Sequence, residues 1–179
     1  GRDTEFSGEI TQSKFDDIEL TLAKAQYELA QRTRRHIAAD ACGQCVFVLV
    51  RKGPLTISQF GREVTLPDES LSILDLDSPF SLKHASATES FFLKVRGVAA
   101  EPRLGQLRDR CAVARPVGRG IGRIAADLIV SLNANAADLA PDEAARVAGE
   151  MLDLLGIVFD SDAADMPGGP SIARAAIRR

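Results

Sequence analysis

Apolar and polar residues alternate along this chain with two different periods. From about Arg51 to Val95 the period is two. Leu55 and Ile57 alternate with Thr56 and Ser58, Val64 and Leu66 with Glu63 and Thr65, and Phe80 and Leu82 with Ser81 and Lys83. Alternation of this kind describes strands with one buried face. The runs are separated by turn residues: Arg51-Lys52-Gly53-Pro54, Gly61-Arg62, Pro67-Asp68-Glu69-Ser70 and Asp77-Ser78-Pro79. Short strands at such spacing predict a sandwich or barrel. Cys45 to Val50 is different. It is an unbroken β-branched and aromatic run, as expected of a central strand covered on both faces. Leu71 to Leu76 and Ser90 to Val95 supply two further strands. Upstream, Ile18 to Leu22 alternates like a half-buried strand. Tyr27 to Thr33 is another candidate, with Leu29 inward, and Ala38 to Gly43 reads as a loop.

After Val95 the period lengthens. Ile121, Ile124, Ala125, Leu128, Ile129 and Leu132 recur at helical spacing, which predicts an amphipathic helix whose start is loosened by Gly118, Gly120 and Gly122. Pro141-Asp142-Glu143 opens a second helix, with Pro at its first position and acids at its positive dipole end. Ala140 stands where a capping side chain is expected. Val147, Met151, Leu154, Leu155 and Val158 form the second stripe. The short joining loop makes the two helices antiparallel neighbours. The predicted fold class is therefore α+β, a β-barrel followed by a C-terminal antiparallel helix pair. The expected division is an N-terminal extension at 1–17, the barrel at 18–96, a helical region at 97–160 and a linker at 161–179. That linker contains the break Met166-Pro167-Gly168-Gly169-Pro170. It ends in Ser171 to Arg179, which reads as the first turns of a basic helix leading into a further domain.

Composition narrows the function classes. The 179 residues, 45% of them hydrophobic, suit one domain with a full core. A net charge of -3 does not favour duplex binding by this chain itself. No run of about 18 apolar residues is present, so no transmembrane helix is expected. Gly1-Arg2-Asp3-Thr4-Glu5 carries neither an initiator Met nor an apolar signal segment. The expectation is a cytoplasmic protein, here in excerpt. The three cysteines are odd in number, which argues against a secreted disulfide framework. With no Trp and only Tyr27 among tyrosines, a broad aromatic platform for nucleic acid or sugar is not expected.

Candidate chemistry is sparse. His36 and His84 are the only histidines and form no His-x-His pair. Even with Glu63 or Glu69 the ligand set is thin for zinc or iron. Cys42-Gly43-Gln44-Cys45 is a C-x-x-C, but it precedes a strand rather than opening a helix, so a helix dipole does not activate its thiols. Redox or metal sensing stays open beside an incidental pair. Ser86 near His84 lacks a Gly-x-Ser-x-Gly turn. Gly118-Arg119-Gly120-Ile121-Gly122 lacks the Lys-Ser/Thr of a phosphate loop. No catalytic residue, no metal and no cofactor are expected.

Several stretches, in order, resemble the N-terminal domain of AraC/XylS-type transcriptional regulators. They are Arg34-Arg35-His36-Ile37-Ala38, the meander through Gly53 and Gly61-Arg62-Glu63, and Leu71 to Asp75 with Ser78-Pro79-Phe80. Gly120 to Ile129, Glu143 to Ala148 and Leu152 to Gly156 follow. The resemblance spans roughly Ile18 to Val158. It implies a cupin-like barrel of jelly-roll type, a small-molecule effector, a homodimer, and DNA contact only through a second domain. On that reading Phe47, Leu49, Ile57, Phe60, Ile73, Phe80 and Phe92 line a pocket in the barrel, with Arg35, His36 and Lys94 as polar anchors suited to a carboxylate. The alternative is that these side chains fill the barrel. Ile124, Leu128, Leu132, Val147, Met151 and Leu155 are the expected dimer positions. Ala126, Val130, Ala148 and Leu152 add apolar surface beyond the main stripes. Two rival readings are a cupin-fold enzyme without a His-rich metal site and a dimerisation domain without a ligand.

Overall fold

The computed structural model describes residues 9–15, 18–25 and 29–160. The elements run β1 (Glu9–Phe15), β2 (Ile18–Ala25), β3 (Leu29–Arg32), α1 (Arg34–Ala39), β4 (Gln44–Lys52), β5 (Leu55–Gln59), β6 (Arg62–Leu66), β7 (Ser70–Asp75), β8 (Phe80–His84) and β9 (Thr88–Arg96). They continue with α2 (Gly97–Leu104), α3 (Leu107–Arg110), β10 (Arg115–Pro116), α4 (Gly120–Asn135) and α5 (Pro141–Asp160). One sheet has the order β1-β2-β9-β4-β7-β10 and the other β3-β8-β5-β6. Every pairing is antiparallel. From β2 to β5 and from β6 to β9 each strand passes to the other sheet, which is the interleaving of a jelly roll. The fold is α+β, a cupin-like sandwich with a C-terminal helix pair. The calls at 161–179, the linker and the basic helix, lie outside the described residues, as does Tyr27.

The central strand has two buried faces, as its composition predicts. Cys45, Phe47 and Leu49 of β4 join a cluster with Ile73, Phe91 and Leu93 of the same sheet and with Ile129, Met151, Leu155 and Phe159 of α4 and α5. Val46, Val48 and Val50 face the other way. They pack between the sheets with Leu55, Ile57, Leu66, Leu74 and Leu82. The helices thus cover the outside of the six-stranded sheet. The Phe159 ring meets Phe47 edge-on, centroids 5.8 Å apart and planes at 60°, a geometry worth about 0.5–1.5 kcal/mol beyond the burial itself.

Three expectations change. Leu29 is 58% exposed rather than inward, because β3 is an edge strand whose Ala30 packs toward the intersheet cluster. Residues 34–39, partly read as loop, form α1, capped by Thr33 and His36 in a reciprocal box. The segment read as an N-terminal extension contains β1, paired residue for residue with β2.

The inward face of α4 is Gly122, Ala125, Ala126, Ile129 and Leu132, while Ile124 is 57% exposed. The helix is turned toward its small residues because its start lies hard against β10. A Cβ on Gly122 would stand 2.9 Å from the Val117 Cα and 3.0 Å from the Pro116 carbonyl oxygen. At α5 the Glu143 carboxylate accepts the Ala140 N–H at 3.0 Å, which supplies half of a capping box without a capping side chain. Arg51 and Arg123 meet Glu69 and Asp127 in a cluster joining the sandwich to α4, its shortest contact Arg123 Nε to Asp127 Oδ2 at 2.8 Å.

Phe159→Ala should lower stability by about 3–5 kcal/mol in urea titrations. A loss below about 1 kcal/mol would show that α5 is not part of the same core.

Candidate functional site

One end of the four-stranded sheet gathers the end of β3, the β5–β6 turn and the start of β8. Together with the start of α1 they enclose an open cleft of about 780 Å³, lined by residues including Arg32, Arg34, Gln59, Phe60, Arg62 and Phe80. Local geometry sets its walls. Phe60 and Gly61 lie at φ 53° and 73° between the paired Gln59 and Arg62, the pattern of a two-residue type I′ turn. Gly61 takes that conformation freely, whereas Phe60 does so at a cost. Gln59 is buried and fastens the cleft floor. Its Nε2 donates to the carbonyls of Asp75 at 2.7 Å and Ser78 at 3.2 Å, and its Oε1 accepts the Asp75 N–H at 2.9 Å.

The cations differ in how far they are engaged. Arg32 donates to the Leu76 carbonyl at 2.7 Å and to the Asp40 carbonyl, so its guanidinium is committed to the fold. Arg62 donates one terminal nitrogen to the Arg108 carbonyl, while its buried Nε has no partner. Arg34 is exposed and makes no hydrogen bond or ion pair among the described residues. Glu63 accepts from the Ser58 hydroxyl at 2.8 Å. On the inner side of the turn the Arg108 guanidinium lies 5.0 Å above the Phe60 ring.

Of the expected pocket residues, Phe60 and Phe80 line this cleft. Phe47, Leu49 and Ile73 point at the helices instead. Alternation divides a doubly covered strand into two sets, and both sets here are apolar, so the period alone does not say which set faces the other sheet. Ile57 is fully buried between the sheets and Phe92 packs on the same cluster. Lys94 is held by Glu19 at 2.9 Å, and that bond keeps the Glu19 carboxyl below its ordinary value. His36 caps α1, its Nδ1 accepting the Thr33 N–H at 3.2 Å, and Arg35 is exposed on the same helix. Sequence reasoning missed Arg32, Arg34, Gln59 and Arg62. Gln59 left one signal, since it is a polar residue in phase with Leu55 and Ile57.

Of the expected dimer positions, Leu132, Met151 and Leu155 lie in the core of the chain itself. Ile124 is exposed, and Leu128 and Val147 are half-buried. Among the described residues no three His, Cys, Asp or Glu side chains cluster as metal ligands do, and no helix is long and apolar enough to cross a membrane.

All three cysteines are free thiols. Burial pushes Cys45 and Cys111 up from 9.0 to about 12. Burial also raises Cys42, whose backbone N–H is held by the Asp77 carboxylate at 2.9 Å. The C-x-x-C therefore carries thiols held neutral near pH 7. Because the folded values are raised, the stabilisation is complete below the ordinary thiol value and is lost as pH rises toward about 12. Stability should fall between pH 9.0 and about 12, by up to about 1.4 kcal/mol per pH unit for each thiol. In chemical denaturation at stepped pH, a Cys45→Ala/Cys111→Ala variant should show a shallower decline. An unchanged slope in that variant would refute the assignment.

Comparison with known proteins places these features. The family model described as AraC-binding-like domain matches residues 1–158. Among solved structures, the AraC-like transcriptional activator CuxR superposes with a TM-score of 0.79 at 14% identity, over 93% of this chain and 60% of that one. This chain therefore spans less than two thirds of CuxR, and at that identity the likeness bears on the fold alone. A Cupin_2 domain of an XRE family transcriptional regulator from Enterobacter cloacae gives a TM-score of 0.41 at 16% identity, over 50% of this chain and 95% of that one. The Clostridium difficile EutQ protein gives 0.41 at 10% identity, over 52% and 65%. A search of curated proteins found no match.

Proposed function

Since the chain belongs to the AraC-binding-like domain family, we propose that it is the effector-sensing and pairing module of an AraC-type transcription regulator. Its cytoplasmic location and its contact with DNA through another domain of the whole protein belong to the same proposal. The observation that carries it is a short physical path from the cleft to the end of α5. Phe60 and Arg62 form the cleft wall and also grip α3, the first under the Arg108 guanidinium and the second through the Arg108 carbonyl. Two residues on, Arg110 donates to the Phe159 carbonyl at 2.6 Å and to Asp160 at 2.9 Å. A ligand that favours one placement of the β5–β6 turn thereby favours one placement of the last turn of α5. That is a population shift, limited by the ligand's differential affinity for the two placements. No bond is made or broken in it.

Pairing is supported by the outward side of α4. Ile124 stands exposed there, with the half-buried Leu128 one turn further on. A two-fold contact placing this stripe against its own copy would cover both residues.

Two measurements test the reading. Screening small metabolites by thermal shift should find a stabilising compound, worth about 2.7 kcal/mol at a hundredfold excess over Kd. A screen in which no compound stabilises the chain would remove the sensing half. Light scattering at micromolar concentration should give a dimer mass that Ile124→Asp or Leu128→Asp reduces to a monomer with an unchanged far-UV spectrum. Leu155→Asp, at a position with 0% exposure, should instead unfold the chain. A monomeric wild-type mass would remove the pairing half.

A further inference from the structure

Resting on the sensing reading, we propose that the cleft takes an organic oxyanion with an apolar body, its charge held by Arg34 and Arg62. Three guanidinium groups and one carboxylate line the cleft, in a chain whose net charge is -3. The positive excess is therefore local and runs against the molecule as a whole. The carboxylate, Glu63, is already engaged with Ser58, and Arg32 is engaged with backbone carbonyls. Donor capacity remains on the other two. Arg34 has no protein partner among the described residues, and the buried Nε of Arg62 has no acceptor. A guanidinium has donors only, and its planar fork matches the oxygens of a carboxylate or phosphate. Guanidinium groups at the cleft whose donors are not all taken favour a ligand that supplies oxygen acceptors over one that cannot.

The remaining lining defines the rest of the ligand. The rings of Phe60 and Phe80 offer an apolar wall, and the Phe60 ring is backed on one face by Arg108. A volume of about 780 Å³ accommodates a small organic molecule. A bare inorganic anion would leave the aromatic wall unused, and a neutral apolar compound would leave the guanidinium donors unused.

The test titrates the chain with phenyl phosphate, phenylacetate and the uncharged twin phenylacetamide, following backbone amide shifts by NMR. At least one of the two anions should move the amides of residues 58–63 and bind about tenfold or more tightly than the amide. The tighter of the two identifies the oxyanion. Arg34→Gln, at an exposed position, should weaken the anion by a similar factor without altering the fold. Arg62→Gln should do the same, and Phe60→Asn should lose binding while keeping the turn, because Asn-Gly suits it. Equal binding of phenylacetamide, undiminished binding to Arg34→Gln, or no shift with any of the three probes would overturn the proposal. The sensing reading stands or falls separately on the metabolite screen. A neutral compound that stabilises the chain there would leave sensing intact while the anion assignment fell.

Discussion

Phe47 of β4 faces the helices while Val46 and Val48 on either side of it face the second sheet. This double burial of one strand constrains everything around it. A strand with two apolar faces needs a cover on each, so the sandwich cannot be completed by its two sheets alone. The second sheet covers one face, and α4 and α5 cover the other. The helix pair is thus part of the barrel's own folding unit. The same arrangement explains why Met151 and Leu155 of α5 are spent within the chain, while the outward side of α4, carrying Ile124, stays uncovered by it.

The ionic cluster of Arg51, Glu69, Arg123 and Asp127 plays a different part. Its members are partly exposed, and pairs of that kind contribute about 0–1 kcal/mol each. That is too little to hold the helices on, set against the burial of Phe159 and Leu155. What the cluster does fix is rotation. Asp127 and Arg123 lie one turn apart on α4, so ion pairs of 3.9 and 4.0 Å from them to Arg51 and Glu69 favour one rotational setting of the helix among the several that apolar packing would tolerate. Gly122, packed against the backbone of Val117 and Pro116, imposes the same setting by shape.

Much of the fold was legible because it is written in local periods. The alternation of Leu55 to Leu66 marks β5 and β6, Gly61 marks their turn, and the 3.6-residue stripes mark α4 and α5. What escaped lacks such a period. β1, an edge strand, has only Ile10 and Phe15 as apolar residues and so shows no alternation, and α3 is four residues long. The rotation of α4 is less legible: its apolar stripe holds both Ile124, which is exposed, and Ala125, Ile129 and Leu132, which are buried, and it is the small Gly122 and Ala126 that permit the close approach. The cleft was the least legible part. Its walls come from residues 31–34, 58–63 and 79–81, which only the antiparallel order of the second sheet brings to one end, and no spacing along the chain announces it.

Phe60 carries one more consequence. In a two-residue turn with both central residues at positive φ, the first place is the natural seat of Asn or Asp, and a side chain there gives up about 1–2 kcal/mol of backbone comfort. An aromatic residue in that seat is an ill-suited turn former, and its ring lines the cleft and lies under the Arg108 guanidinium. Such a misfit can be recognised without any ligand in hand. Asn at this place would relax the hairpin and leave Phe80 as the one aromatic ring in the cleft wall. The identity of one turn residue thus sets a trade between the ease of the hairpin and the aromatic surface that the cleft presents.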